Sequence, residues 1–123
     1  MNQKKVKARL DVLDQVERMR TIELPELYKN FYKRCTTQIP SKWVGADVLA
    51  IDDFADWADE LLSENNLKNF LDEKDFVFLF HQGYIFWYFK ADGTADPMVF
   101  SFSEVDKVSK AVNPLSEFIR EEH

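Results

Sequence analysis

Apolar residues along this chain change period twice. From residue 3 to 20 they recur a helical turn apart, with Val6, Leu10, Leu13, Val16 or Glu17, and Met19 or Arg20 on successive turns and charged residues between them. The stripe is modest, so the spacing predicts a surface helix laid on a core. Pro25 then stands at a helix start, where its missing N–H costs nothing. Leu24, Leu27, Tyr28, Phe31, Tyr32 and Cys35 around and after it keep the i, i+3, i+4, i+7 spacing closely, which predicts a second and more deeply buried helix. Residues 36–45, with Pro40 and Trp43, read as a connector, and residues 44–51 as a short strand. Asp52 and Asp53 follow as an N-cap with acid in the first turn. They open a third helix that carries Phe54, Trp57, Ala58, Leu61 and Leu62 on its apolar side and ends at Asn65-Asn66.

The second change of period comes at residue 76. Residues 76–104 hold ten of the eighteen aromatic residues in three short apolar runs separated by two turn signals. The runs 76–80 and 84–89 flank His81-Gln82-Gly83, a tight hairpin in which Gly83 supplies the positive φ that a Cβ resists. The turn around Asp92-Gly93 and the following Pro97 lead into a third run, 98–102, so the stretch predicts an antiparallel meander. In the third run Met98, Phe100 and Phe102 alternate with Val99, Ser101 and Ser103, as in an edge strand with one wet face. In the first run Phe76, Phe78 and Phe80 point one way and Val77 and Leu79 the other; in the second Ile85, Trp87 and Phe89 oppose Tyr84, Phe86 and Tyr88. Both faces there need cover. Residues 104–112 read as an irregular helix, and Asn113-Pro114 opens a short terminal helix anchored by Leu115, Phe118 and Ile119. The expected fold class is therefore α+β: N-terminal helices and a C-terminal helix packed on a central antiparallel meander.

Composition narrows the picture further. With 123 residues, 46% hydrophobic, three glycines and four prolines, the chain reads as one domain over 1–123, long enough to bury a core without staples. Cys35 is the single cysteine, so no disulfide forms within the chain; it reads as a small packed hydrophobe in a reducing, cytosolic setting. No apolar run reaches the ~18 residues of a membrane span, and no apolar h-region follows the basic amino terminus. The net charge of −6 is strongly segregated: +5 over residues 1–46, −8 over 47–75 and −3 over 76–123. Such an acidic block repels a phosphate backbone, which disfavours direct nucleic-acid binding, and it attracts and steers a basic protein.

Candidate chemistry points the same way. His81 sits at a hairpin tip with no serine or cysteine partner suggested by spacing, and His123 is the last residue. No His-x-x-His or Cys-x-x-Cys spacing exists, and acid pairs such as Asp52-Asp53 and Glu121-Glu122 follow from composition. With no nucleophile, metal cluster or phosphate loop, the expectation is a binding protein that needs no cofactor rather than an enzyme. Its candidate partner-binding residues are Asp52, Asp56, Asp59 and Glu60 at helical spacing, Trp43 in the connector, and His81 at the hairpin tip. Tryptophan is a frequent interface anchor. A solvated helix face and a core role for Trp57 are the plainer readings beside these.

The order of these features carries a resemblance. Leu24-Pro25 opening an aromatic helix, the hairpin His81-Gln82-Gly83-Tyr84, the turn Asp96-Pro97 and the strand start Met98-Val99-Phe100 together resemble the SUKH superfamily over residues 22–120. That group includes a yeast cell-wall synthesis regulator and many bacterial immunity proteins. One departure is visible: many members have an Asn-Gly turn after the Leu-Pro helix, where this chain has Arg34-Cys35-Thr36-Thr37. The resemblance implies an α+β fold without enzymatic activity. For bacterial members it implies cytosolic neutralisation of a toxin domain, often a nuclease; for yeast-type members, a regulatory interaction module.

Overall fold

The helical period of the first third becomes two helices held together by one carboxylate. The computed structural model describes residues 3–120, with side chains from residue 7 onward; the Val6 side chain, the Glu121-Glu122 pair and His123 lie outside the described residues. Helix α1 spans Gln3–Arg20 and α2 spans Glu26–Thr37. Leu13 and Val16 are buried, whereas Met19 is 84% exposed, so the apolar stripe of α1 ends a turn early. Glu17 faces α2 instead: one oxygen accepts the Leu24 N–H at 2.9 Å and the other pairs with Lys29 Nζ at 3.1 Å. Pro25 is the N-cap of α2, one residue ahead of the helix, with extended ψ. Tyr28, Phe31, Tyr32 and Cys35 are buried, as their spacing required.

The meander forms, and it is larger than expected. Strands β1 (Ala46–Asp47), β2 (Asp75–His81), β3 (Ile85–Lys90), β4 (Met98–Ser103) and β5 (Ser109–Pro114) make one sheet in that order, every neighbouring pair antiparallel. Tyr84 N–H donates to His81 O at 3.2 Å, with Gln82 at φ 50° and Gly83 at φ 78°. Gln82 and Gly83 are the first two residues of a three-residue loop, 82–84, and their positive φ angles match the right-handed twist of the flanking strands.

Four expectations need correction. Residues 104–112 are not helical: Lys107 has a positive φ of 57°, and the chain returns as β5 along β4. The ladder satisfies backbone groups of β4 that would otherwise form an open edge. Strand β4 is therefore interior, not an edge, and Val99 is fully buried while Met98 is 43% exposed. Of the strand expected over 44–51 only Ala46–Asp47 pairs; Val48 and Ile51 turn into the core instead, and Tyr32 Oη donates to Leu49 O at 3.1 Å. Finally, Phe80 leaves the side of Phe76 and Phe78. A bulge between Val77 and Leu79 inserts one residue, so Val77 pairs with Tyr88 but Leu79 with Trp87, and Phe80 pairs with Phe86. A single inserted residue flips the facing of everything beyond it.

The two sheet faces are covered by different helices. On one, Tyr28 of α2 packs edge-on to Phe76 at 5.3 Å and Phe78 at 5.8 Å, and Phe118 of α4 (Leu115–Phe118) lies 5.6 Å from Phe78. On the other, Phe54 and Trp57 of α3 (Phe54–Glu64) sit 5.8 Å and 5.7 Å from Phe80, while Phe70 covers Tyr88 and Phe102. Cover on both sides comes from within the chain.

Candidate functional site

Helix α3 is pinned by its apolar side, and this fixes where its acids point. Phe54, Ala58, Leu61 and Leu62 are buried and Trp57 is half-buried against Phe54 and Phe80. Asp53 occupies the N-cap position but makes no side-chain capping bond. With 3.6 residues per turn, the acids are left on the outer surface, and Asp52, Asp56, Asp59 and Glu60 are all exposed. Among the described residues none of these four is in an ion pair. Other acids of the 47–75 block are engaged: Asp72 and Asp75 pair with Lys90 Nζ at 2.8 Å and 3.4 Å, and Asp72 also accepts the Lys74 N–H. The hydrogen bond from Lys90 holds the Asp72 carboxyl below its ordinary range, helped by the Lys74 N–H. The sequence-level block thus divides into structural acids near residue 72 and uncompensated acids on α3.

The α3 acids themselves divide again. Glu60 and Glu64, one turn apart, flank a cleft of about 190 Å³ whose third carboxylate is Asp47, with Trp57 and Phe80 beneath and Gly83 at the end. Asp47 reaches it because β1 pairs with β2 and sets Asp47 opposite Phe80. Among the described residues no lysine or arginine lines the cleft. Asp59 points to the other flank, accepting from Asn69 Nδ2 at 3.0 Å, and Asp52 and Asp56 stand outward. Three carboxylates over an aromatic floor offer a cationic side chain both charge and a ring face.

Trp43 and His81 do not join this group. Trp43 is 9% exposed and lies on the α2 side of the sheet, stacked on Phe118 at 5.0 Å and edge-on to Trp87 at 6.0 Å. Lys42 closes over it, its Nζ 5.0 Å from the Trp43 ring and donating to Phe118 O at 2.8 Å. His81 is half-buried at the end of β2, where its ring meets Tyr84 at 5.8 Å. Asp47 and Glu64 are the members of the cleft that spacing along α3 did not single out. Glu64 was legible as Glu60 plus one turn; Asp47 was not, because its place depends on strand pairing.

Among the described residues no three His, Cys, Asp or Glu side chains gather to hold a metal ion, and no helix is long and apolar enough to cross a membrane. Comparison with curated proteins and with solved structures gave no match to either. The model of the SMI1 / KNR4 family (SUKH-1) matches residues 7–121, taking in α1 from its second turn onward, α2, α3, all five strands and α4. By that match, over nearly its whole length, the chain belongs to the SMI1 / KNR4 family of the SUKH group.

Proposed function

We propose that this chain, read as one domain, is a cytosolic immunity protein of bacterial type that binds a basic toxin domain and blocks it by occlusion. The observation that carries the reading is the uncompensated acidic surface of α3, with Asp52, Asp56, Asp59 and Glu60 exposed beside the Asp47–Glu60–Glu64 cleft. A nuclease toxin holds phosphates with basic residues, and a rigid row of carboxylates competes for that same surface. Helix α3 suits the task because its anchoring residues are in the core, so its charged side needs no rearrangement to bind. Family membership supports a protein-binding role, and regulatory interaction is the other role the family implies.

The test is a titration of toxin activity against the amount of this protein, using the toxin encoded next to its gene. Occlusion predicts a plateau of inhibition near one equivalent. A trace amount that inactivates a large excess of toxin would mean turnover and would overturn the reading. The absence of any toxin gene beside it, together with binding to unrelated partners, would move the assignment to a regulatory module.

A further inference from the structure

A second cleft has the opposite polarity. Between α2 and α4, a groove of about 420 Å³ has half-buried Leu27 and the buried Phe31 and Ile119 as its apolar lining and exposed Arg34 and Arg120 as its charges, with Asn30 and Ser116 beside them. None of these residues is acidic, in a chain with 22 acids and 16 lysines and arginines. The exposed Arg34 guanidinium lies over the Phe31 ring, 5.9 Å from its centroid, at the outer limit of a cation–π contact. Among the described residues neither Arg34 nor Arg120 is in an ion pair. The acid next to Ser116 is already engaged: Asp96 accepts the Ser116 N–H at 2.8 Å and its hydroxyl at 2.7 Å.

We propose that this groove docks an acidic segment of a protein partner, its carboxylates on Arg34 and Arg120 and a neighbouring aliphatic side chain on half-buried Leu27. Arginine's planar fork pairs with a carboxylate through two parallel N–H···O bonds, and the ring beneath Arg34 reduces the hydration and freedom lost on pairing. The aliphatic contact supplies what an exposed ion pair alone would not. Because α2 and α4 pack on Phe76, Phe78 and Trp87 while α3 packs on Phe80 across the sheet, the groove and the α3 face lie on opposite sides. A basic partner on α3 therefore leaves the groove open, and the proposal stands independently of the function proposed for α3.

The experiment is fluorescence anisotropy of the full chain with a labelled Leu-Glu-Glu-Leu-Glu peptide and its Gln-for-Glu counterpart. Saturable binding of the acidic peptide is expected, weakened at least tenfold by Arg34→Gln with Arg120→Gln and by the Gln peptide, with the unfolding midpoint unchanged. No binding, or equal binding of the Gln peptide, overturns the proposal. Displacement of the peptide by equimolar inorganic phosphate would reduce the groove to a general anion site and also overturn it. Tighter peptide binding after Glu121→Gln with Glu122→Gln would assign the groove to the chain's own acids, with the same consequence.

Discussion

Asp96 holds Ser116 by two hydrogen bonds, accepting the backbone N–H on one carboxylate oxygen and the hydroxyl on the other. The geometry gives the Asp96-Pro97 turn a physical role. Helix α4 begins after Pro114, whose side chain makes no capping bond, and Asp96 supplies the missing acceptor from 20 residues away in sequence. Pro97 completes the junction by accepting the Leu115 N–H at 2.8 Å.

Replacing Asp96 by Ala should therefore cost about 1 kcal/mol, the usual cost of losing a cap, and lower Tm by a few degrees. Urea unfolding with an unchanged m value is the check. An unaltered midpoint would assign the closure of α4 to the burial of Leu115 and Phe118 alone.

Tyr28 makes the sharper stability prediction. Its ring is fully buried among Phe76, Phe78 and Phe89, and among the described residues its hydroxyl has no hydrogen-bond partner. An unsatisfied buried hydroxyl costs about 1–3 kcal/mol, so Tyr28→Phe should leave the protein as stable or make it more so. Tyr28→Ala removes the ring as well and should cost about 3–5 kcal/mol. Denaturant midpoints of the two variants separate hydroxyl from ring. A destabilised Phe variant would mean that the hydroxyl has a partner after all.

Alkaline titration should show late tyrosines. Burial pushes the Tyr32 phenol up to about 12, against the pull of Arg9, and raises that of Tyr28 well above its ordinary value. A folded pKa above the unfolded value of about 10 means that the fold holds the proton. The resulting stability is whole below about pH 10 and is lost as pH rises from there toward 12. Tyrosinate absorbance and unfolding midpoint followed together over that range test this. Ionisation of all four tyrosines near pH 10 without loss of structure would contradict the burial of Tyr28 and Tyr32.

Reversal of charge on α3 addresses the partner. Asp56→Lys with Asp59→Lys should slow association with a basic toxin domain about tenfold at low salt and flatten the salt dependence, since exposed charges act on encounter over about 8–10 Å. Dissociation should change little, and the fold should stay intact because both side chains are exposed. Equal association rates for the wild-type and reversed chains would reduce this surface to a solubility role.

What the sequence determined by itself is everything that depends on local period and local turn chemistry. The stripe through Tyr28, Phe31 and Cys35, the stripe through Phe54 and Leu61, and the hairpin at Gly83 all lie within a few residues of their own signal. The exposure of Asp52, Asp56, Asp59 and Glu60 followed from the same period, because burying one side of a helix leaves the other in water.

Tertiary structure decided what depends on distant pairing. Strand β5 carries almost no apolar signal, since residues 109–113 are exposed; it is a strand because β4 offers it a ladder and the Tyr88 hydroxyl bonds to Ser109. Phe80 changed face because of a bulge defined only by the register with β3. Trp43, which spacing left in an open connector, became core because Phe118, 75 residues later in the chain, stacks against it and Lys42 bonds to the Phe118 carbonyl. Asp47 met Glu60 and Glu64 only after β1 paired with β2, and Arg34 met Arg120 only after α4 packed beside α2. A helix or a tight turn is stabilised by neighbours in sequence and can be read from them; a ladder, a stacked ring or a cleft is stabilised by residues whose distance along the chain carries no information about their distance in space.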